Sequence, residues 1–329
     1  VSSSPLPAGW LPAALNRGRT YRDRITAPDL ERLGSGAGVV AFLAERWGHS
    51  SAALWAERLA AGEIQWNGRQ LRADGPLQPG DRLVWHRPPW EEAAVPGSWS
   101  VRFEDGDLHV IDKPSGLPVL PAGGFSEHTL LRLLEQRHAA DPAGVPRPVH
   151  RLGRHTSGLL VCARRPATRA WLSAQLRDPR PEGPCRKRYR ALTVPLPASL
   201  PEGGSLVITT PIAQRPHPLL GTIWCAAPPA EAGLEAHSRL TLLRRRADCC
   251  LVEVEIATGR PHQIRIHTAA IGAPLLGDPL YLPGGSARPE VVPGAGGYRL
   301  HAHRLRLPRP QGGIWECEAP PPPDLEGPP

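Results

Sequence analysis

Methionine is absent from this sequence of 329 residues, and lysine nearly so: Lys113 and Lys187 stand against 37 arginines. Val1 in first place points to a non-AUG start or a trimmed end and carries no functional information. No stretch approaches the roughly 18 to 20 uninterrupted apolar residues that a membrane-spanning helix needs. The N-terminus also lacks a charged region followed by an apolar core, so a soluble, unexported, cytoplasmic protein is expected. The six cysteines form no Cys-x-x-Cys pair and no regular disulfide framework, and they read as reduced thiols. No internal repeat is visible, which sets aside solenoids and propellers. Acid is locally scarce too, with no Asp or Glu between Asp141 and Asp178.

The length allows a sizeable core, most simply one large domain and a small one. A formal charge of +8 and a pI of about 9.7 favour a polyanionic partner gripped by guanidinium forks, nucleic acid first among them. The alternative source of the arginine excess is a GC-rich genome that trades Lys for Arg.

Residues 1–26 are rich in Ser, Pro and Arg without periodicity and read as a disordered lead-in. Residues 27–90 are compact. Apolar helical stretches at 39–44 and 52–61 precede a small hairpin around Asn67-Gly68, a strong turn signal, and then the segment Leu77 to Trp85 with its Pro79-Gly80-Asp81 turn. Residues 91–100, with Pro96 and Gly97, form a linker to a larger domain at 101–318. There, Leu108 to Asp112 is a short strand, and a helix capped by Ser126 presents Leu130, Leu133 and Leu134. Gly158 to Ala163 is a strand, followed by a helix that begins at Pro166 with an apolar row of Ala167, Ala170, Trp171 and Ala174. Further strands are expected at 186–194, 206–210, 240–243 and 252–256, the last from its strict alternation of Val and Ile with Glu. A helix with Pro261 in its first turn and Ile264, His267, Thr268 and Ile271 on one side ends at Gly272, and a basic strand at 300–307 precedes a disordered Pro-rich tail, 319–329.

Six peptides carry chemistry, and their order and spacing resemble one family. They are Lys113-Pro114-x-Gly116, His150-Arg151-Leu152-Gly153-Arg154-His155-Thr156-Ser157-Gly158, Lys187-x-Tyr189-x-Ala191, Thr258-Gly259-Arg260-x-His262-Gln263-Ile264-Arg265, Leu276-Gly277-Asp278-x-x-Tyr281 and Leu300-His301-Ala302. Together they resemble the RluA family of RNA pseudouridine synthases over about residues 105 to 308. Residues 27–90 resemble an S4-type RNA-binding domain, with a generic small α/β cap as the alternative.

The resemblance implies an α+β fold: a largely antiparallel mixed sheet with flanking helices and a central basic cleft, preceded by the small S4-type domain. It implies isomerisation of uridine to pseudouridine in structured RNA, ribosomal or transfer. The uracil must leave its stack and be gripped while its bond to the sugar is broken and remade through carbon. That chemistry needs a carboxylate, a ring to stack on, and a cation to hold the carboxylate. By resemblance Tyr189 is the ring and Arg265 the cation, while Gly153 stands where the family carries its catalytic Asp. Arg151, Arg154, Lys187, His262 and Gln263 are the RNA-binding candidates.

An alternative function follows from Gly153: an inactive RNA-binding protein derived from such an enzyme, acting in RNA folding or ribosome assembly. Asp278 is a candidate substitute acid, against a plain turn or capping role. Without a carboxylate partner, Arg265 would turn to water, a backbone carbonyl or an RNA phosphate. Ser157 is expected to shape a turn, since no Asp-oriented His base is evident. The His262/His267 and His301/His303 pairs lack a third ligand, so no metal site, and no cofactor, is expected. A monomer is expected.

Overall fold

The computed structural model describes residues 13–34, 36–177, 185–228, 231–309 and 312–326. They divide into two units: a smaller one of residues 13–92 with 216–223, and a larger one holding the rest.

The smaller unit contains β1 (Arg19–Arg24), helices α1 (Ala27–Leu33), α2 (Val39–Arg46) and α3 (Ala52–Ala60), then β2 (Ile64–Trp66), β3 (Arg69–Leu71) and β4 (Arg82–Arg87). The sheet order is β1-β4-β2-β3, with every neighbour antiparallel. Asn67 and Gly68 join β2 to β3 with φ of 51° and 82°, the two positive values that a type I′ hairpin requires and that Asn-Gly supplies at least cost. Val39, Phe42, Leu43, Trp55 and Leu59 of the helices bury against Ile64, Leu83 and Trp85 of the sheet. The expected disorder of residues 1–26 needs correction here. Residues 1–12 lie outside the described residues, but Arg19–Arg24 is a full strand whose Tyr21 ring stacks on Trp85 at 5.0 Å. Its arginines and Asp23 mask the alternation, because only one of its faces meets the core.

The larger unit contains β5 (Ser100–Glu104), β6 (Leu108–Lys113), α4 (Leu130–Arg137), β7 (Arg147–Pro148), β8 (Thr156–Ala163), α5 (Pro166–Arg177), β9 (Arg186–Thr193), β10 (Ser205–Ile208), the first residues of β11 (Ile212–His217) and the last of β12 (Gly221–Ala226), β13 (Ser238–Arg245), β14 (Cys250–Ile256), α6 (Gln263–Ala270), β15 (Leu300–Pro308) and β16 (Ile314–Glu318). The main sheet runs β10-β13-β14-β9-β15-β8-β6-β5, with β16 beside β15 and β7 beside β8. It is mixed: β15 runs parallel to β8, and the other pairings among the described residues are antiparallel. All eight residues of β8 are buried, as expected of a strand covered on both faces.

Several sequence expectations shift. Thr129, not Ser126, caps α4, its hydroxyl accepting from the Arg132 amide. The buried face of α5 is Thr168, Leu172 and Leu176 rather than the alanine row, because burial follows size as well as spacing. Helix α6 is buried on every side from Gln263 to Ala269, so its polar residues must find partners inside the protein. The linker carries buried Glu92 and Trp99 and runs directly into β5. Within the described part of the Pro-rich tail, 319–326, Ala319 and Leu325 are buried and Pro323–Leu325 forms one 3₁₀ turn, against the expected disorder. Among the described residues no helix is long and apolar enough to cross a membrane.

Candidate active site around Gly153

The site begins with a turn. The Thr156 amide donates to the Gly153 carbonyl at 3.1 Å, so β8 starts where the loop ends. Beneath it, the Lys113 ammonium is fully buried and donates to the carbonyls of Pro114, Leu117 and Arg154 at 2.8, 2.8 and 3.0 Å. Burial, aided by the charge of Arg154, brings Lys113 down to about 7, while its three carbonyl acceptors favour the charged form. The Gly116 amide also donates to the Arg154 carbonyl, and the Ser115 hydroxyl to that of His155. The Lys-Pro-Ser-Gly turn is therefore a clamp on the Gly153 loop.

Gly153 is exposed, and the neighbour that matters most to it is Tyr298. A β-carbon built on Gly153 would overlap the Tyr298 hydroxyl, whereas the ring carbon Cζ lies 3.5 Å away, an ordinary contact. That hydroxyl lies 3.3 Å from Thr156 Oγ1. The phenol occupies the room a side chain at 153 would need. Tyr298 belongs to none of the six motifs, and sequence reasoning missed it.

The Tyr298 ring also carries the cation. The Arg265 guanidinium lies 4.3 Å from its centroid and 5.0 Å from that of Tyr281, within cation–π range. Arg265 Nε and Nη2 donate to the two oxygens of Asp278, both at 2.7 Å, and Nη1 donates to the Pro293 carbonyl at 3.0 Å. The two side chains are 4% and 0% exposed. Burial alone would depress the guanidinium, but Asp278 and the tyrosines carry it above its usual value. Asp278 further accepts from the amides of Leu280 and Tyr281, so it fills the turn role and the ion-pair role together. Of the partners expected for Arg265 without a family carboxylate, water, a backbone carbonyl or an RNA phosphate, it takes a carbonyl, that of Pro293, and adds a carboxylate of its own, Asp278, 13 residues further along the chain.

Helix α6 is held by a chain of side-chain bonds. Gln263 donates to the His237 carbonyl and to Ser238, and accepts from Thr258 and from the Arg260 amide. His267 lies 2.9 Å from Ser238 and 3.0 Å from the Thr210 carbonyl. Gln263 is thus a structural bracket rather than an RNA contact. His262 precedes the helix at φ 54°. Its Nδ1 lies 2.7 Å from the Tyr281 hydroxyl, which donates to the Trp224 carbonyl. Burial, then the charges of Arg265 and Arg151, push His262 down to about 3. It is neutral and half committed.

The sheet register places the remaining residues. Thr156 pairs with Leu300, and Leu300 with Ala191; Gly158 pairs with Ala302, and Ala302 with Tyr189. Paired residues share a face, so Tyr189 lies on the Thr156 side of the sheet. It is buried, which raises its phenol well above the usual range. At Gly158, φ is 100° and a β-carbon would meet the Ala302 backbone, so the crossing of β8 and β15 requires glycine. Lys187, expected to bind RNA, is buried and donates to the carbonyls of Leu176 and Thr258. Burial brings it down to about 8. On the other face of β9, Arg186, Arg188 and Arg190 pair with Glu253 and Glu255 of β14.

Arg154 donates its Nε to the Gly116 carbonyl at 3.1 Å and lies over the Phe125 ring at 4.5 Å, so it braces the clamp. Arg151 is exposed and makes no hydrogen bond or ion pair with any described residue. Ser157 meets a histidine, His301 Nδ1 at 2.9 Å, but the far nitrogen of that ring faces the Ala319 carbonyl at 3.2 Å, so the histidine is not oriented by a carboxylate, in line with expectation. Among the described residues no three His, Cys, Asp or Glu side chains gather as a metal site.

Comparison with known proteins bears on this site. Residues 107–270 match the family model for RNA pseudouridylate synthase. A Synechocystis protein named as an uncharacterized RNA pseudouridine synthase is 44% identical over 270 residues, covering 80% of this chain and 87% of its own. RNA pseudouridine synthase 5 of Arabidopsis thaliana is 35% identical over 355 residues, covering 94% and 93%. Among solved structures, human RNA pseudouridylate synthase domain containing 1 aligns with a TM-score of 0.51 at 24% identity, covering 72% of this chain and 89% of that one, a likeness of fold.

Proposed function

The chain belongs to the RNA pseudouridine synthase family, and from that premise we propose that it isomerises uridine to pseudouridine in structured RNA, ribosomal or transfer. It does so as an RluA-type protein in which Gly153 replaces the catalytic carboxylate. The smaller unit is the S4-type RNA-binding part, and the larger presents a central basic cleft. The observation that carries this reading is the clamped turn: Lys113 and its loop fix Gly153 to Thr156 beside Tyr298, Arg265 and Asp278. A turn so heavily pinned suits a place where a base must be held without slack. In this reading Tyr189 supplies the stacking ring, and Arg151 meets phosphate at the rim.

A specific observation favours a second reading, RNA binding without turnover. The Tyr298 hydroxyl fills the side-chain space at 153, and both Asp278 oxygens are bound by Arg265. The reaction breaks the bond from uracil nitrogen one to sugar, forms a bond from uracil carbon five to sugar, releases the proton of carbon five to solvent, and protonates the freed nitrogen. RNA tritiated at that carbon therefore reports turnover as released label. Release by the wild type, reduced at least tenfold in Tyr189→Ala, which removes the stacking ring, supports the enzyme. No release by the wild type, with release by the double variant Gly153→Asp/Tyr298→Phe, supports the binding protein. Gly153→Asp alone is a poor test, because its β-carbon has no room while the hydroxyl remains.

A further inference from the structure

The smaller unit's arginines fall into two groups. On the helical side they are engaged: Arg32 pairs with Asp29 and Glu45, Arg46 with Asp23, and Arg58 lies over the rings of Trp55 and Trp85 while donating to Ser50. On the opposite face of the sheet they are not. Register puts Thr20, Arg22 and Arg24 of β1 beside His86, Val84 and Arg82 of β4, facing away from the core side chains Tyr21, Leu83 and Trp85. The next strands add only glutamines there, Gln65 and Gln70. Arg22, Arg24, Arg82 and His86 are exposed, and no residue of this face is buried. Among the described residues, none of the three guanidiniums has a carboxylate, carbonyl or ring partner.

A sheet face with three unpaired cations and no acid is costly by self-repulsion unless an anion covers it. Arg24 and Arg82 are directly opposed across the strands, a like-charge pair that destabilises a bare sheet. Arg22 and Arg24 stand about 7 Å apart along one strand, and long side chains let each reach a different anionic group. The face carries no Phe, Tyr or Trp, its one ring being the His86 imidazole beside Thr20, so it offers little platform for a run of unstacked bases. Its chemistry suits repeated phosphates read without regard to sequence.

We propose that this open face of the β1-β4-β2-β3 sheet docks the phosphate backbone of folded RNA; the inference rests on the RNA reading above and deepens it. The site includes β1, which lies outside residues 27–90, and it leaves the helical side of the unit uninvolved.

The test uses the full chain and a fluorescein-labelled RNA hairpin, with binding followed by anisotropy from about 50 to 200 mM KCl, a range over which phosphate contacts register strongly. The triple variant Arg22→Gln/Arg24→Gln/Arg82→Gln is expected to weaken binding roughly 10- to 100-fold and to reduce the salt slope by about 2 to 3, near one per lost contact. Its melting temperature should not fall, since the replaced side chains are exposed and unpartnered. Arg32→Gln, on the helical side, is expected to leave the slope unchanged. A wild type that does not bind the hairpin overturns the RNA reading itself. A wild type that binds, with a triple variant of unchanged slope or an Arg32→Gln slope reduced as much, overturns this face alone.

Discussion

Arg265 and Arg188 each hold a carboxylate oxygen at 2.7 Å, and the distances alone would rank the two pairs as equals. Their surroundings do not. Arg265 and Asp278 are 4% and 0% exposed, whereas Arg188 and Glu255 are 43% and 30% exposed on the outer side of β9. A pair in water gains little, because solvent screens the attraction and two long side chains lose freedom. A pair stripped of water depends wholly on its partner, since removal of either charge leaves the other unsolvated. The same contact is a fixture in one region and a decoration in the other, and burial makes the difference.

The comparison breaks most sharply at Asp278. Asp278→Ala leaves the Arg265 guanidinium buried with the Pro293 carbonyl and two rings, and strips the amides of Leu280 and Tyr281 of their acceptor. It is expected to cost about 3–5 kcal/mol, read as a shift of the urea midpoint at constant slope. A loss under about 1 kcal/mol would place Asp278 in the class of exposed pairs.

Acid sharpens the same contrast from the buried side. Burial, with help from Lys187, pushes His150 down to about 4, and burial pushes His267 down to about 4 and His262 to about 3. His150 accepts the Val161 amide on Nε2, a role that needs the neutral ring. Below about pH 6.5 the unfolded chain binds protons at these histidines that the folded chain does not, so stability falls as pH drops from there toward 4. The expected loss is on the order of 1–2 kcal/mol per histidine at pH 5, checked by urea unfolding at pH 7.5 and 5. His262→Gln should remove part of that slope; an unchanged stability across the range would mean that these rings are not held neutral.

What the sequence could reveal follows from the same distinction between local and spatial information. The Asn67-Gly68 hairpin and the alternation of Val252, Val254 and Ile256 are local, and each is found where pattern places it. The chemistry of Lys187 and Gln263 was not legible, because a motif names residues but not the direction in which they point; both turn inward to protein carbonyls and hydroxyls. Tyr298 lies 145 positions beyond Gly153, with no motif around it, and only the meeting of β15 with β8 brings its hydroxyl to the vacant side-chain position. Strand β1 was hidden by its own arginines, since a strand with one wet face and no strong turn before it resembles a disordered basic segment.

The smallest expected effect is the most pointed, because it concerns the residues that composition alone would make important. Arg186, Arg188 and Arg190 form a dense basic run with Lys187, yet Glu253 and Glu255 face them across the strand pair, as Glu316 and Glu318 face Arg306 and Arg304. Each positive column is matched by a negative one, so little field extends from this face. Arg188→Gln is expected to change stability by no more than about 0.2–1 kcal/mol and to leave the salt slope of RNA binding unaltered, in contrast to the unpaired arginines of the smaller sheet. A slope reduced by about 1 would show that the glutamates yield their partners to phosphate, and that compensation within a sheet does not prevent recruitment by RNA.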